Sequence, residues 1–306
     1  MIRMDFHVHI TDNETDVFQT IENFSAYCQR NSFNSICIHA APYSSLKSHP
    51  DCNEKALSII KEKPDWYAFA GLHHDQDFVE QARKYMDQGF RGIKLLEGKP
   101  SLYKHYGYGF EHPRFDSFFS FAEKNKIPLL IHNNDPLLHW DINKISRSAI
   151  EKGWYYDESF PSQEHFFKVL EDVFKKHPAL HAAIAHFGFY SNDLPRATML
   201  MEAYPNLFMD MTPAPIIYDE LSSTPDETRK FIITYQDRLL FGTDLSNKTE
   251  GKVLELNEKK LKIMDAFYEG TGTHQIGKHT ISGMALPKDV LQKLYYTNAM
   301  HFMRIS

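Results

Sequence analysis

Only three cysteines, Cys28, Cys37 and Cys52, occur in the 306 residues. None has C-x-x-C spacing, and an odd number argues against a disulfide framework. Reduced thiols in a cytoplasmic protein are therefore expected. No run of about 18 apolar residues exists, so no membrane-spanning helix is expected. The opening residues, Met1-Ile2-Arg3-Met4-Asp5, turn acidic at once and lack the apolar stretch of a signal peptide. There is no basic run, and the formal net charge of −6 leaves no electrostatic footprint for nucleic acid or an anionic membrane. No glycine-rich phosphate loop follows the first β-rich stretch, which weighs against a dinucleotide-binding open sheet. No Pro/Gly/Ser-rich linker divides the chain, so one domain over residues 1–306 is expected.

What is present suits a large globular α/β domain. Hydrophobic residues make up 42% and charged residues 24%, enough for a sizeable core under an ordinary soluble surface. Short β-rich runs fall at residues 2–9, 35–40, 66–72, 91–96, 128–132, 181–186, 207–211 and 239–243. Amphipathic stretches lie between them, for example at 15–30, 76–88, 114–125, 162–176, 193–204 and 227–236. Eight strands alternating with helices predict βαβ units and a parallel sheet, with a closed (β/α)8 TIM barrel as the leading architecture. An open doubly wound sheet is the alternative. Residues 97–113 and 133–161 form long loops after strands 4 and 5, and a third loop covers 245–251. Such loops in a compact domain are usually functional. Residues 252–268 read as a helix, 270–286 as irregular, and 287–303 as a closing helix.

A (β/α)8 enzyme carries its site at the C-terminal ends of the strands. The first strand ends in His7-Val8-His9, the second near His39 and the third near His73. The fourth carries Lys94, the fifth ends at His132, the sixth at His186, and Asp210 and Asp244 serve the seventh and eighth. Strand alternation would put Asp5, His7 and His9 on one face and Phe6, Val8 and Ile10 on the other, with the apolar set toward the helices. Two imidazoles on one face can ligate one ion. Hydrogen-bonded polar plugging of the barrel would use the same residues. His132 and His186 end apolar runs as metal-site or polar-cap residues. Asp244 suits a metal carboxylate and a proton acceptor, or a helix N-cap. Lys94 suits a grip on a substrate carboxylate, a carbamylated metal bridge, or a structural ion pair.

The same residues carry a resemblance. Asp5-Phe-His7-Val-His9, Gly89-Phe-Arg-Gly-Ile-Lys94-Leu, Pro128-Leu-Leu-Ile-His132, Ala185-His186-Phe-Gly188, Asn206-Leu-Phe-Met-Asp210, Leu240-Phe-Gly-Thr-Asp244 and Leu294-Tyr-Tyr-Thr-Asn298-Ala299 follow one another along the chain. In this order they resemble the amidohydrolase superfamily, in the amidohydrolase-related branch that includes relatives of aminocarboxymuconate-semialdehyde decarboxylase. The resemblance implies a distorted barrel with one divalent ion, zinc, with manganese or iron as alternatives. It implies His7, His9, His132 and Asp244 as ligands, with Asp244 and His186 as catalytic groups. The implied activity is hydrolysis of a small-molecule ester, lactone or amide by a metal-activated water. The alternative on the same site is non-oxidative decarboxylation of a carboxylic acid, aromatic ones included. Lys94, His73, Trp140 and Tyr106 are the candidate substrate contacts, the last two from aromatic loops over the barrel mouth. The partner expected is a small molecule, with a homodimer left open.

Overall fold

The computed structural model describes residues 1–10, 16–44, 47–48, 51–214, 216–246 and 251–305. Thr15, the expected start of the first helix, and residues 247–250 of the third long loop lie outside the described residues. Nine parallel strands form one sheet. In chain order they are β1 (Met4–Ile10), β2 (Ser35–Ala40), β3 (Tyr67–Gly71), β4 (Gly92–Gly98), β5 (Leu129–Asn133), β6 (Ala182–Ile184), β7 (Leu207–Asp210), β8 (Leu239–Leu240) and β9 (Leu245–Ser246). The order is β8-β7-β6-β5-β4-β3-β2-β1-β9. β8 and β9 are two halves of one eighth strand, interrupted at residues 241–244. The Phe6 N–H donates to Phe241 O at 3.0 Å and the Asp244 N–H to His7 O at 2.8 Å, so the interruption runs along β1, and β9 pairs with β1 to curl the sheet into a barrel.

Helices α1 (Val17–Asn31), α2 (Cys52–Glu62), α3 (Phe78–Gln88), α4 (Pro100–Tyr106), α5 (Pro113–Asn125), α6 (Arg147–Glu151), α7 (Gln163–Lys176), α8 (Leu194–Ala203), α9 (Ile217–Ser223), α10 (Pro225–Thr234) and α11 (Gly251–Tyr268) follow the strands. Asp77, Ser162 and Asp193 start α3, α7 and α8 by accepting a backbone N–H from the first turn. Two of the expected loops hold structure: α4 lies within 97–113, and α6 and a short 3-10 turn (Leu137–Trp140) lie within 133–161. The expected irregular segment 270–286 is instead an antiparallel hairpin, β10 (Thr271–Ile276) and β11 (His279–Met284). Its sequence hides it because one face is thin: only Ile281 and Met284 are buried, and β10 is largely exposed.

The apolar residues divide between two places. The larger cluster lies between strands and helices, where Val8, Ile38, Ile93, Leu129, Ile131 and Ile184 meet the helix layer. The smaller lies within the barrel, where Phe6, Phe69, Leu130, Phe208 and Leu240 are sealed by Phe302 and Met303 from the end of the chain. This dry floor forces the polar residues of the strand ends upward. β5 shows the logic: Leu129 and Ile131 face the helices and Leu130 the lumen, so His132 faces the lumen as well.

Candidate active site

β1 does not alternate simply. Its pairing with β2 shifts register between Asp5 and Val8. Phe6 joins the lumen floor, stacking edge-on against Phe69 and Phe302. Asp5 turns outward to the Tyr27 hydroxyl of α1 at 2.6 Å. After the irregularity His7 points into the lumen too. The expectation that Asp5 shares a face with His7 and His9, with Phe6 toward the helices, is therefore corrected: the bulge resets the phase by one residue. The crowding is tight enough that a Cβ on Gly242 would lie 2.5 Å from the His7 Cβ.

Hydrogen bonds fix which nitrogen of each histidine faces the centre. His9 Nδ1 lies 3.0 Å from the His39 carbonyl, which can only accept. His9 Nδ1 therefore carries the proton and Nε2 carries a lone pair. His7 Nδ1 lies 2.5 Å from Asp210 Oδ2 and 3.1 Å from the Thr212 hydroxyl, which turns its Nε2 inward as well. The two Nε2 atoms approach to 2.9 Å. Asp244 Oδ1 stands 3.2 Å from His9 Nε2 and 4.0 Å from His7 Nε2. Ligand atoms of His7, His9 and Asp244 all lie within 4.8 Å of one another. Two nitrogen lone pairs and a carboxylate converging this closely repel unless a cation lies among them. The N, N, O donor set fits a divalent ion such as zinc.

The electrostatics agree. Burial, helped by Lys94, pushes the His7 imidazole well below its usual pKa, so it stays neutral and able to ligate. Burial alone would raise Asp244, but His9, Lys260 and His186 outweigh it and hold the carboxylate well below its usual range. Lys94 is fully enclosed with Nζ 3.4 Å from His7 Nε2, and burial lowers its ammonium to about 8. Asp210 is pushed up by burial to about 7, against the pull of its bonds from the Thr212 N–H and hydroxyl. A cation on His7 Nε2 favours the ionised form of Asp210. Replacing Asp210 by Asn should weaken zinc affinity by about 10–100-fold, the usual effect of losing a carboxylate behind a metal-binding histidine. Chelator competition would read this, and unchanged affinity would show that Asp210 does not orient His7.

His132 and His186 stand together beside this trio, their ring centroids 4.9 Å apart. His132 Nε2 is turned to the Asn134 carbonyl at 3.0 Å and to Asp135 at 3.6 Å, so it is not gathered with His7, His9 and Asp244. Burial lowers it to about 4. His186 Nδ1 lies 3.3 Å from the Thr212 carbonyl, so its Nε2 carries the lone pair, and its ring centroid is 5.6 Å from that of His7. Its backbone is left-handed, with φ of 55°, and Phe187, Gly188 and Phe189 continue at 54°, 61° and 59°. Asp244 is left-handed too, at φ 58°. Strain of this kind gathers at functional sites.

A cavity of about 460 Å³ opens above these groups, with His132, His186 and Asp244 on its wall. Three candidate substrate contacts stand away from it. Trp140 donates Nε1–H to the Pro161 carbonyl at 3.0 Å and packs on Tyr156. Tyr106 stacks on His74 with ring centroids 3.7 Å apart. The His73 N–H is bonded to Gln81 beside α3. The fourth, Lys94, reaches the histidine centre from the lumen. The cavity wall instead carries Trp154, one of the aromatics of the 133–161 loop, together with residues not singled out from sequence: Asp135, Lys99, Lys260 and the hairpin residues Lys278 and His279. Asp135 lies three residues after His132 and is held by Lys99 at 3.4 Å and by the Tyr156 hydroxyl. Its place three residues beyond a strand-end histidine was a usable signal. Nothing local marked the hairpin lysines.

A family model described as Amidohydrolase matches residues 47–305, so β1 with His7 and His9 lies outside the matched span. No sequence match is found among curated proteins. A crystal structure of a probable 2-pyrone-4,6-dicarboxylic acid hydrolase from Acinetobacter baumannii superposes with a TM-score of 0.59 at 14% identity, covering 100% of both chains. A 2,6-dihydroxybenzoate decarboxylase from Rhizobium does so with 0.56 at 14% identity over 99% of each. A dihydroxybenzoic acid decarboxylase from a Polaromonas species, with bound manganese, gives 0.56 at 13% identity over 99% of this chain and 97% of that one. These likenesses show a shared fold. With the family match over most of its length, this chain belongs to the amidohydrolase family.

Proposed function

We propose that the protein is a metal-dependent hydrolase of a small-molecule ester, lactone or amide. The observation that carries this is the convergence of the His7 and His9 Nε2 lone pairs with the Asp244 carboxylate. A divalent ion held there, zinc by donor chemistry, would polarise a carbonyl and lower the pKa of a bound water. His132, beside His186, would supply the fourth ligand. Asp244 lines the cavity and stays ionised, so it serves as acceptor for the proton of the attacking water. His186 Nε2 takes or returns a proton at the leaving group. Lys94 donates toward substrate oxygen beside His7. A base held ionised favours hydrolysis; decarboxylation on the same site instead requires a proton donor aimed at carbon.

The three cysteines are all buried and unpaired, which supports a cytoplasmic setting. Among the described residues no helix is long and apolar enough to cross a membrane.

The test is a panel of esters, lactones, amides and aromatic carboxylates given to zinc-, manganese- and iron-loaded protein, read for acid release and CO₂ release. Acid release without CO₂ is expected. CO₂ alone would replace hydrolysis with decarboxylation. On the substrate found, His186→Ala should lower kcat by about 10²–10⁴-fold, the usual effect of losing a general acid–base. A kcat within about twofold of wild type would remove His186 from the mechanism.

A further inference from the structure

The cavity has an uneven charge balance. Each acid on its wall is engaged: Asp244 with His9 at 3.2 Å, Asp135 with Lys99 at 3.4 Å, and Asp219 with His279 at 2.7 Å. Lys260 donates to the Thr243 and Asp244 carbonyls. Three further lysines on the same wall, Lys152, Lys259 and Lys278, have no carboxylate partner among the described residues. They come from separate segments: Lys152 after β5, Lys259 from α11, and Lys278 from the turn of the β10–β11 hairpin. The hairpin brings two of them together. Gly277 turns with φ of 61°, and a Cβ there would lie 2.9 Å from Lys259 Nζ. The Lys259 ammonium is thus packed against the turn that carries Lys278. Lys152 lies 4.7 Å from the Trp154 ring centroid, and Lys99 lies 4.6 Å from it. The Trp154 ring thus attracts both cations. Like charges gathered at one cavity repel one another, and in a chain of net charge −6 they are not a general surface trend.

We infer that the substrate carries an oxyanionic group, remote from the bond that is cleaved, which docks on Lys259 and Lys278 at the outer cavity with Lys152 alongside. This rests on the hydrolase reading and adds its substrate class. The reacting carbonyl lies at the His7–His9–Asp244 end and the anionic end lies under the hairpin. The hairpin, which lies outside the eight-stranded barrel plan, then acts in specificity.

The experiment uses zinc-loaded full-length protein and titration calorimetry with benzoate, isophthalate and inorganic phosphate. Isophthalate, with its second carboxylate, should bind at least tenfold more tightly than benzoate. Lys259→Gln with Lys278→Gln should erase that advantage and leave benzoate affinity and zinc content unchanged. Lys175→Gln, on α7 away from the cavity, should change nothing. Equal affinities in the wild type, an advantage that survives the double substitution, or binding of neither aromatic acid would overturn the inference. Phosphate binding lost in the double variant would make the docked group phosphoryl; no phosphate binding, beside the isophthalate result, would make it carboxylate. The panel read for acid and CO₂ release tests the hydrolase reading separately, because the isophthalate increment depends on the lysines alone.

Discussion

Protein carrying His7→Ala and His9→Ala is expected to purify without stoichiometric zinc, manganese or iron, and to lose more than a hundredfold in turnover of any substrate found. The size follows from a comparison: replacing a group that only orients a metal ligand costs about 10–100-fold, so removing two ligands costs more. The geometry allows little compensation. Asp244 alone remains of the trio. With His132 added, the proposed set of four keeps only two of its ligands. Elemental analysis of wild type and variant, purified side by side, decides it. Equal metal content would end the metal reading. Equal activity at unequal metal content would leave the fold and the family in place and move the chemistry onto side chains alone.

The largest loss of stability is expected at Asp5, which touches no substrate. Its fully buried carboxylate accepts from the Thr243 N–H at 3.0 Å, the Thr243 hydroxyl at 2.6 Å, the Tyr27 hydroxyl at 2.6 Å and the His7 N–H at 3.2 Å. Burial pushes Asp5 up, and these four donors oppose that shift. Asp5→Ala leaves them facing an apolar gap. Each stranded buried donor costs about 1–3 kcal/mol, and partial relaxation brings the expected total to about 3–5 kcal/mol. Urea unfolding would measure it. Asp5→Asn keeps one acceptor and should fall between. A loss of under about 1 kcal/mol would show that Asp5 does not tie β1 to the broken eighth strand. Because Thr243 precedes Asp244, the Asp5→Ala protein should also bind metal less tightly.

Much of this architecture was legible in the sequence because polar residues at the ends of apolar strands are costly unless a cavity receives them. The run from Pro128 to His132 is an example: an apolar stretch that breaks off at a polar residue marked His132 as a strand end, and it lies in β5. Strand alternation, applied to the first strand, failed in β1, because a bulge leaves no mark in residue types. Phe6 and His7 both enter the barrel, on its floor and at its centre respectively. The break in the eighth strand was invisible for a similar reason. Phe241, Gly242 and Thr243 read as strand, yet the chain bends there to bring Asp244 to His9. Asp135 did carry a signal, its place three residues after His132, which the sequence reading left unused. Trp140 and Tyr106 were singled out as aromatic loop residues, but aromatics also pack loops onto barrels, and these two do so, against Tyr156 and His74. The lysines of α11 and the hairpin were beyond reach, since only the folded hairpin assembles them.

The left-handed backbone at His186 and Asp244 bears on how this protein can be improved. A side chain in that conformation is strained relative to glycine. Random variants sorted for heat resistance alone should therefore accumulate glycine or asparagine at these two positions and lose the site while the barrel hardens. Sorting for retained metal as well would move the gains elsewhere, to exposed positions such as Phe18 and Met199. The residues least suited to their own backbone are then the ones that selection for chemistry has to hold in place.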